Sequence, residues 1–308
     1  MDPGPRAEIL TRYCPFSVDR GLARGPLLEL ALEELQAAES HERLTPTGSC
    51  RLAFSPQPWE SDYFQRPTVR LAAPLFECGF EDLARSLRAL LERLRAEGAR
   101  TVFAEVPAED TLWLQALSGQ GGFRLIETRI HYRHDRLDAF AGPRAPTRHA
   151  GEADIPNLRR VAIEMRNPFD RFHADVRYPD ELADAYLATY VENCVRGFAD
   201  WVFVPDQVGV PADSFMAARL HADLTPRLGK SLGTFVVSAV SQKTNRGWYE
   251  KLLSEGTHAM AERGVQAVYV TTQATNGAVL HVWNKLGYTL GRVTQVLTRD
   301  LEHDELSS

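Results

Sequence analysis

At 308 residues, with 44% hydrophobic and 25% charged side chains, the chain has an ordinary globular composition and length enough for two domains. Its net charge of -6 and its arginines scattered among acids, as in LRALLERLRAEGAR, argue against a nucleic-acid partner, which would need a concentrated basic face. No apolar run reaches membrane-spanning length and MDPGPRAEIL lacks the apolar core of a signal peptide, so a cytoplasmic protein without a membrane partner is expected.

In chain order, the first half reads as a helix over Pro26–Ala38, strands around Cys50–Phe54 and Thr68–Ala73, and a long helix from Phe80 to Glu97. Leu83, Leu87, Leu90, Leu91 and Leu94 recur on that last helix at helical spacing. GPRAPT, Gly142–Thr147, is the natural linker, which sets domains at about 1–142 and 148–301 with a short acidic tail. The second half opens on Asp154 as a helix N-cap before IPNLRRVAIEMR. A helix over Pro179–Asn193 follows, then strands at Trp201–Pro205, Phe215–His221 and Gly233–Ser241. A helix over Tyr249–Arg263, a strand at Ala267–Thr272, a short helix opened by Asn276 and closing strands complete the order.

Two segments lie over each other. AEGARTVFAEVPAEDTLWLQALSGQGGFRLIETRIHYRHDRL starts at Ala96, and AERGVQAVYVTTQATNGAVLHVWNKLGYTLGRVTQVLTRDL at Ala261. Each reads as a helix end with Gly, a buried strand, a short helix, a Gly-aromatic pair and a final strand pair, which points to duplicated α/β units. The four cysteines form no CxxC pair and are expected to be free thiols filling the core. His131 and His134 would face opposite sides of a strand, and no metal is expected.

Gly233–Ser241 is apolar on both faces, as a central buried strand is, and it leads through Gln242, Lys243, Thr244, Asn245, Arg246 and Gly247 into WYEKLL. Backbone N–H groups in a turn at a helix N-terminus suit pyrophosphate oxygens, Gly247 permits positive φ, and Lys243 and Arg246 add positive charge. Asn276 is placed to cap the next helix and to meet an extended ligand where two strand ends splay. The first half differs here. Glu109 and Asp110 stand where Asn276 would, and ECGFEDL puts acids where phosphates would go, so one carrier site is expected, in the second half.

NPFDRFHADVRYPDELADAYLATYVENCVRGFADWVFVP from Asn167, the NRGWYEKLL turn and QATNGAVLHVWNKLGY together resemble the GNAT superfamily. Within it they resemble the nucleotide-sugar amine acyltransferases of the TDP-fucosamine acetyltransferase type, and WESDYFQRPTVRL from Trp59 resembles the start of that family's N-terminal domain. The resemblance implies an α/β fold with a mixed sheet in two GNAT-like domains, the N-terminal one degenerate. It implies acetyl-CoA or another acyl-CoA as co-substrate and the amine of a nucleotide-linked amino sugar as acceptor; a homodimer is compatible with it.

It places Val236, Val237, Ser238, Val240, Lys243, Asn245, Arg246, Gly247, Trp248, Tyr249, Asn276 and Trp283 on the carrier, and Arg171, His173 and Tyr178 on the acceptor. His173 is of the type that takes an amine proton near neutral pH, with Asp175 to orient it or act through water. Two departures stand out. Of the family's Gln/Arg-x-x-Gly-x-Gly/Ala pattern only the central Gly247 is kept, between Thr244 and Tyr249. Trp283 stands where a proton-donating Tyr is usual; an indole N–H donates a hydrogen bond but releases no proton, which leaves Tyr249 and Tyr288 as unranked substitutes. Rival readings are a tandem acetyltransferase on another small amine, of the mycothiol-synthase kind, and a GNAT-fold protein that binds coenzyme A without catalysis.

Overall fold

A computed structural model describes residues 4–302; the end of the acidic tail, 303–308, lies outside the described residues. In chain order the first half contains α1 (Ala7–Tyr13), α2 (Arg24–Ala37), β1 (Glu39–Thr45), β2 (Gly48–Pro56), α3 (Pro58–Phe64), β3 (Thr68–Phe76), α4 (Phe80–Ala96), β4 (Thr101–Pro107), α5 (Thr111–Gln115) and β5 (Arg124–His134). The second contains β6 (Thr147–His149), α6 (Ile155–Glu164), α7 (Asp180–Asn193), β7 (Trp201–Pro205), β8 (Ser214–Leu220), α8 (Thr225–Leu228), β9 (Leu232–Val240), α9 (Trp248–Glu262), β10 (Ala267–Gln273), α10 (Gly277–Lys285) and β11 (Thr289–Asp300). Among the described residues no helix is long and apolar enough to cross a membrane.

The chain divides into two compact units, Met1–Arg129 with Arg292–Ser308, and Ile130–Gly291. These limits differ from the 1–142 and 148–301 expected from the linker, and the closing strands give the reason. In the first unit β4 pairs antiparallel with the C-terminal strand, from Thr294↔Pro107 to Asp300↔Thr101. In the second, β10 lies beside β5, where Thr271 Oγ1 and His131 Nδ1 are 2.9 Å apart. Each unit is thus closed by the strand that sequence order would assign to the other, and the divisions fall inside β5 and β11 rather than in the Pro-rich segment.

Taken separately, the units are built alike. In the first, β1, β2 and β3 form an antiparallel meander and β3 runs parallel to β4; in the second, β7, β8 and β9 do the same and β9 runs parallel to β10. β3 and β9 are both nine-residue strands with a bulge at the fifth position. Ala72 and Ala73 oppose Ala53 alone, and Val236 is extra between the pairs Phe235↔Ala218 and Val237↔Ala217. A bulge turns two successive side chains to one face. Accordingly Ala72 and Ala73 both join the apolar cluster with Leu10 and Leu35 of α1 and α2, and Val236 and Val237 both join the one with Leu158 and Val191 of α6 and α7.

On the opposite face α4 buries its expected leucine stripe against Leu52, Val69 and Val102, and α9 buries Leu252, Leu253 and Met260 against Val240 and Val268. β1 was not legible in the sequence. Its residues ESHERLT lack alternation because it is an edge strand that pairs only with β2, where polar side chains cost nothing. The cysteines are unpaired thiols, and burial pushes those of Cys50 and Cys194 up to about 12, which leaves them unreactive packing groups.

One difference between the units bears on function. In the first, Arg6 reaches between β3 and α5: its Nε donates to the Pro74 carbonyl at 3.1 Å, its guanidinium pairs with Asp110 and lies 4.2 Å over the Phe76 ring. Asp110 is the N-cap of α5, accepting from Trp113 N–H at 3.4 Å, and also accepts from Tyr13 Oη at 2.7 Å. Burial first, and the Asp110 carboxylate second, push the Tyr13 phenol up. Pro74 and Asp110 correspond by position in their elements to Ser238 and Asn276 of the second unit. Where the second unit has a cavity, the first is filled by its own N-terminal segment.

Candidate active site

β9 and β10 pair in parallel only at their first residues, Ala267↔Leu232, Val268↔Gly233 and Tyr269↔Thr234. Beyond Thr234 and Tyr269 the strands part, and a cavity of about 550 Å³ opens along Phe235–Val240 on one side and Val270–Gln273 on the other. The bulge at Val236 lies at the parting point, where a bent strand with a shifted side-chain phase leaves backbone groups unpaired. The cavity passes between the strands. It touches Ala162, Met165, Asn167 and Asp170 on the α6–α7 face, and Tyr249, Val279, Val282 and Trp283 on the α9–α10 face.

The turn at the end of β9 is held from within. Ser241 Oγ accepts the N–H groups of Lys243 and Thr244 at 3.3 and 3.4 Å, and Thr244 Oγ1 donates to Asp213 at 2.9 Å. Against a desolvation that would raise it, the hydrogen bonds from Asn157 and Thr244 hold Asp213 below the usual carboxylate range. Asn245 is buried and its Nδ2 donates to Pro211 O at 2.9 Å and Ser214 Oγ at 2.6 Å, so it anchors the turn. Gly247, at φ 88 and ψ -5, is the N-cap of α9, and no side chain caps the helix. Trp248 N–H donates to the Asn245 carbonyl at 3.0 Å, and the next N–H groups of the first turn of α9, which by helix geometry have no intrahelical acceptor, suit an anion. Lys243 and Arg246 are exposed beside them.

At the other end of the turn Tyr249 lines the cavity, and Trp283 Nε1 donates to its Oη at 2.8 Å. Burial pushes the phenol well up, opposed by hydrogen bonds from Trp283 and the Ser238 hydroxyl. The phenol therefore stays protonated at neutral pH; Trp283 donates to its oxygen, and between Tyr249 and Ser238 either hydroxyl can be the donor. Tyr288 is different: it is buried, 2.6 Å from Thr257 Oγ1, and does not line the cavity. The two tyrosines that the sequence left unranked are thereby separated.

Of the carrier residues expected from the sequence, Val236, Val237, Ser238, Val240, Tyr249, Asn276 and Trp283 line the cavity. Lys243, Asn245, Arg246 and Gly247 form the turn beside it, and Trp248 is a core residue stacked under Lys251 Nζ at 4.5 Å. Asn276 holds the N-cap position of α10 but makes no cap hydrogen bond; its Nδ2 donates to Thr272 Oγ1 at 3.1 Å. Asp154 likewise caps no part of α6, its carboxylate accepting from Gly151 N–H and Arg148 instead.

The acceptor residues fall differently. Arg171, His173, Asp175 and Tyr178 lie off the cavity. Arg171 packs over Phe172 at 4.8 Å, Tyr178 is buried edge-on to Phe172, and Asp175 binds Arg177 Nε at 2.7 Å. His173 has Nδ1 2.8 Å from Asp170 Oδ2 and Nε2 3.1 Å from Asp184 Oδ1, so neither ring nitrogen is free to take a proton from a substrate. Trp283, expected at the chemistry, lines the cavity and donates to Tyr249. The cavity's polar groups that sequence reasoning missed include Arg166, Asn167, Asp170, Thr272 and Gln273; Asn167 Nδ2 donates to Gln273 Oε1 at 2.6 Å, tying the α6–α7 loop to the end of β10. Their signal was their place at loop and strand ends flanking the cavity, which only the register reveals.

No protein-family model matches the sequence, and no curated protein matches it. Solved structures do resemble it. A GCN5-related N-acetyltransferase from Sphaerobacter thermophilus aligns over 98% of this chain and 94% of its own, at 14% identity and a TM-score of 0.56. One from Kribbella flavida aligns over 87% and 91%, at 14% identity and a TM-score of 0.51. A GNAT-family acetyltransferase from Colwellia psychrerythraea aligns over 90% and 97%, at 15% identity and a TM-score of 0.50. The parted parallel strands, the uncapped helix after β9 and these likenesses agree: the chain has the mixed α/β fold of the GNAT acetyltransferases, in two GNAT-like halves.

Proposed function

We propose that this protein is an acyl-CoA-dependent N-acyltransferase, working by direct attack of an amine on the thioester. The observation that carries the reading is the parting of β9 from β10 directly before the uncapped head of α9. Two unpaired strand edges suit the amides of an extended pantetheine arm, and the helix head suits a pyrophosphate. A cavity of about 550 Å³ lies within the ordinary range for small-molecule sites. Because it passes between the strands, an amine entering from the α6–α7 face meets a thioester held from the α9–α10 face. Juxtaposition of that kind replaces a bimolecular encounter by a unimolecular step.

In the transfer the amine nitrogen attacks the thioester carbonyl, a C–N bond forms, the C–S bond breaks and the departing sulfur takes a proton. Tyr249 is the proton donor in this reading: its phenol lines the cavity, remains protonated, and receives rather than spends a hydrogen bond at Trp283. Acetyl is the acyl group to test first. The nucleotide-linked amino sugar belongs to the amine class, although the side chains assigned to it, Arg171, His173 and Tyr178, do not line the cavity.

The turn provides the test. Gly247 is left-handed at φ 88, and a Cβ there would meet nothing within 4 Å, so substitution acts through backbone strain rather than collision. Gly247→Val puts a β-branched residue in a region it avoids and is expected to distort the helix head, weakening coenzyme A binding by about 10–100-fold in titration calorimetry. Gly247→Ala should weaken it less. Unchanged affinity in the valine variant would move the carrier site elsewhere. Thiol release from acetyl-CoA with an amine panel separates catalysis from mere binding: tight coenzyme A binding with zero turnover for every amine would leave the non-catalytic reading.

A further inference from the structure

On the α6–α7 side the cavity meets one carboxylate whose surroundings differ from an ordinary loop aspartate. Asp170 Oδ1 accepts the backbone N–H groups of Phe172 and His173 at 2.9 and 3.0 Å, and Oδ2 lies 2.8 Å from His173 Nδ1. Behind it, the His173 side chain is 3% exposed and its Nε2 is 3.1 Å from Asp184, which also binds Arg166 Nε at 3.2 Å. The second nitrogen of Arg166 is 3.4 Å from Asp180. A ring flanked by carboxylates at both nitrogens donates to both only when it carries both protons. The arrangement is a fixed carboxylate–imidazole–carboxylate chain with Asp170 as its cavity end.

We infer that Asp170 receives the acceptor, and that the acceptor class is a primary amine carried in as its ammonium ion. The inference rests on the acyltransferase reading and adds to it the charge of the second substrate. A carboxylate has about four acceptor positions. Three are occupied by Phe172, His173 N–H and the imidazole, which leaves one on Oδ2, on a side chain that lines the cavity and is 26% exposed. The three bonds hold the carboxylate in one orientation, and Asn167 bonded to Gln273 holds the loop that carries it. Arg166 also lines the cavity, but its guanidinium is occupied by Asp180 and Asp184, so the open charge at this end is negative. His173 acts here as a positioning residue through Asp170 and does not touch the substrate.

The step balances without a further reactant. The ammonium binds Asp170 and loses one proton to solvent through the cavity mouth. The free amine forms the C–N bond as the C–S bond breaks. One further N–H proton is lost and the thiolate is protonated, so ammonium and acyl thioester give amide, thiol and one net proton.

The experiment uses the full chain, acetyl-CoA and two acceptor sets: aliphatic primary amines, which are ammonium ions at pH 7, and hydroxylamine with simple hydrazides, which are neutral there. Asp170→Asn is expected to raise KM for the amines by about 10–100-fold, as loss of a charge-assisted hydrogen bond does, and to change KM for the neutral nucleophiles by less than about 3-fold. Coenzyme A affinity should not change, which shows that the variant is folded. His173→Ala should give a smaller rise in amine KM, and His173→Asn, whose amide replaces the donor to Asp170, should restore part of it. An equal loss for charged and neutral acceptors, or none for either, overturns the assignment of Asp170 while wild-type turnover keeps the acyltransferase reading. Wild-type protein that binds coenzyme A and turns over no nucleophile overturns both.

Discussion

Tyr249→Phe is expected to lower kcat by about 10²–10⁴-fold with coenzyme A affinity unchanged, because it deletes a proton donor and little else. Phenylalanine fills the same space, so the wall of the cavity persists, and Trp283 loses only the partner of its 2.8 Å hydrogen bond. Steady-state kinetics with thioesters of graded leaving groups distinguishes a donor from a packing residue. An aryl thioester leaves without help, so the deficit should shrink toward wild type as the leaving group improves. A deficit that is constant across the series would remove Tyr249 from the chemistry. Trp283→Phe keeps the phenol but deletes its donor, and should cost about 10-fold, the worth of one well-placed hydrogen bond. On that outcome, the position that the family resemblance marks for the acid would act at one remove, through a tyrosine 34 residues earlier in the chain.

Removing Arg6 should cost about 3–5 kcal/mol of folding stability, because Arg6→Ala strands the Asp110 carboxylate in the interior. Arg6 and Asp110 side chains are 9% and 2% exposed, and Asp110 would keep only Tyr13 Oη and the N–H of Trp113. The Pro74 carbonyl loses its donor in the same step. Chemical denaturation followed by fluorescence and by circular dichroism reads the loss as an earlier first transition. The double variant Arg6→Ala with Asp110→Ala should recover part of it, since no charge is then buried alone. A change below about 1 kcal/mol would mean that the N-terminal segment lies on the first unit without holding it together.

How far the chain could be read in advance follows from the kind of signal each feature leaves. The leucines of α4 announced themselves by periodicity and are buried as expected; the apolar run of β9 marked a central strand, but its middle, from Thr234 to Ser238, is only half-buried where the cavity opens. The repeat was visible as a matched order of strand, helix and glycine. Its two bulges were not, because a bulge is a register difference between neighbouring strands and leaves no mark in one strand alone. β1 escaped because an edge strand needs no apolar face.

At the site the division is similar. Gly247 and the seven predicted residues along the cavity belong to one local strand–turn–helix–strand–helix run, so their spacing carried them. Arg171, His173, Asp175 and Tyr178 come from a loop whose composition suggested chemistry, and packing turned them to Phe172, Asp170, Arg177 and Asp184 instead. The same loop presents Asp170 to the cavity.

By itself, then, the amino-acid sequence determined most of the order of elements, the repeat and the glycine turn, properties that local propensity and spacing carry, while Trp283 in a tyrosine's place was read from the family resemblance. Only the tertiary structure decided which tyrosine faces the cavity, which loop aspartate is open, and that Arg6 fills the corresponding cleft of the first unit. Those outcomes depend on which side chains converge across 30 to 100 residues of intervening chain, as Trp283 with Tyr249 and Arg6 with Asp110 do, and no local pattern encodes that convergence.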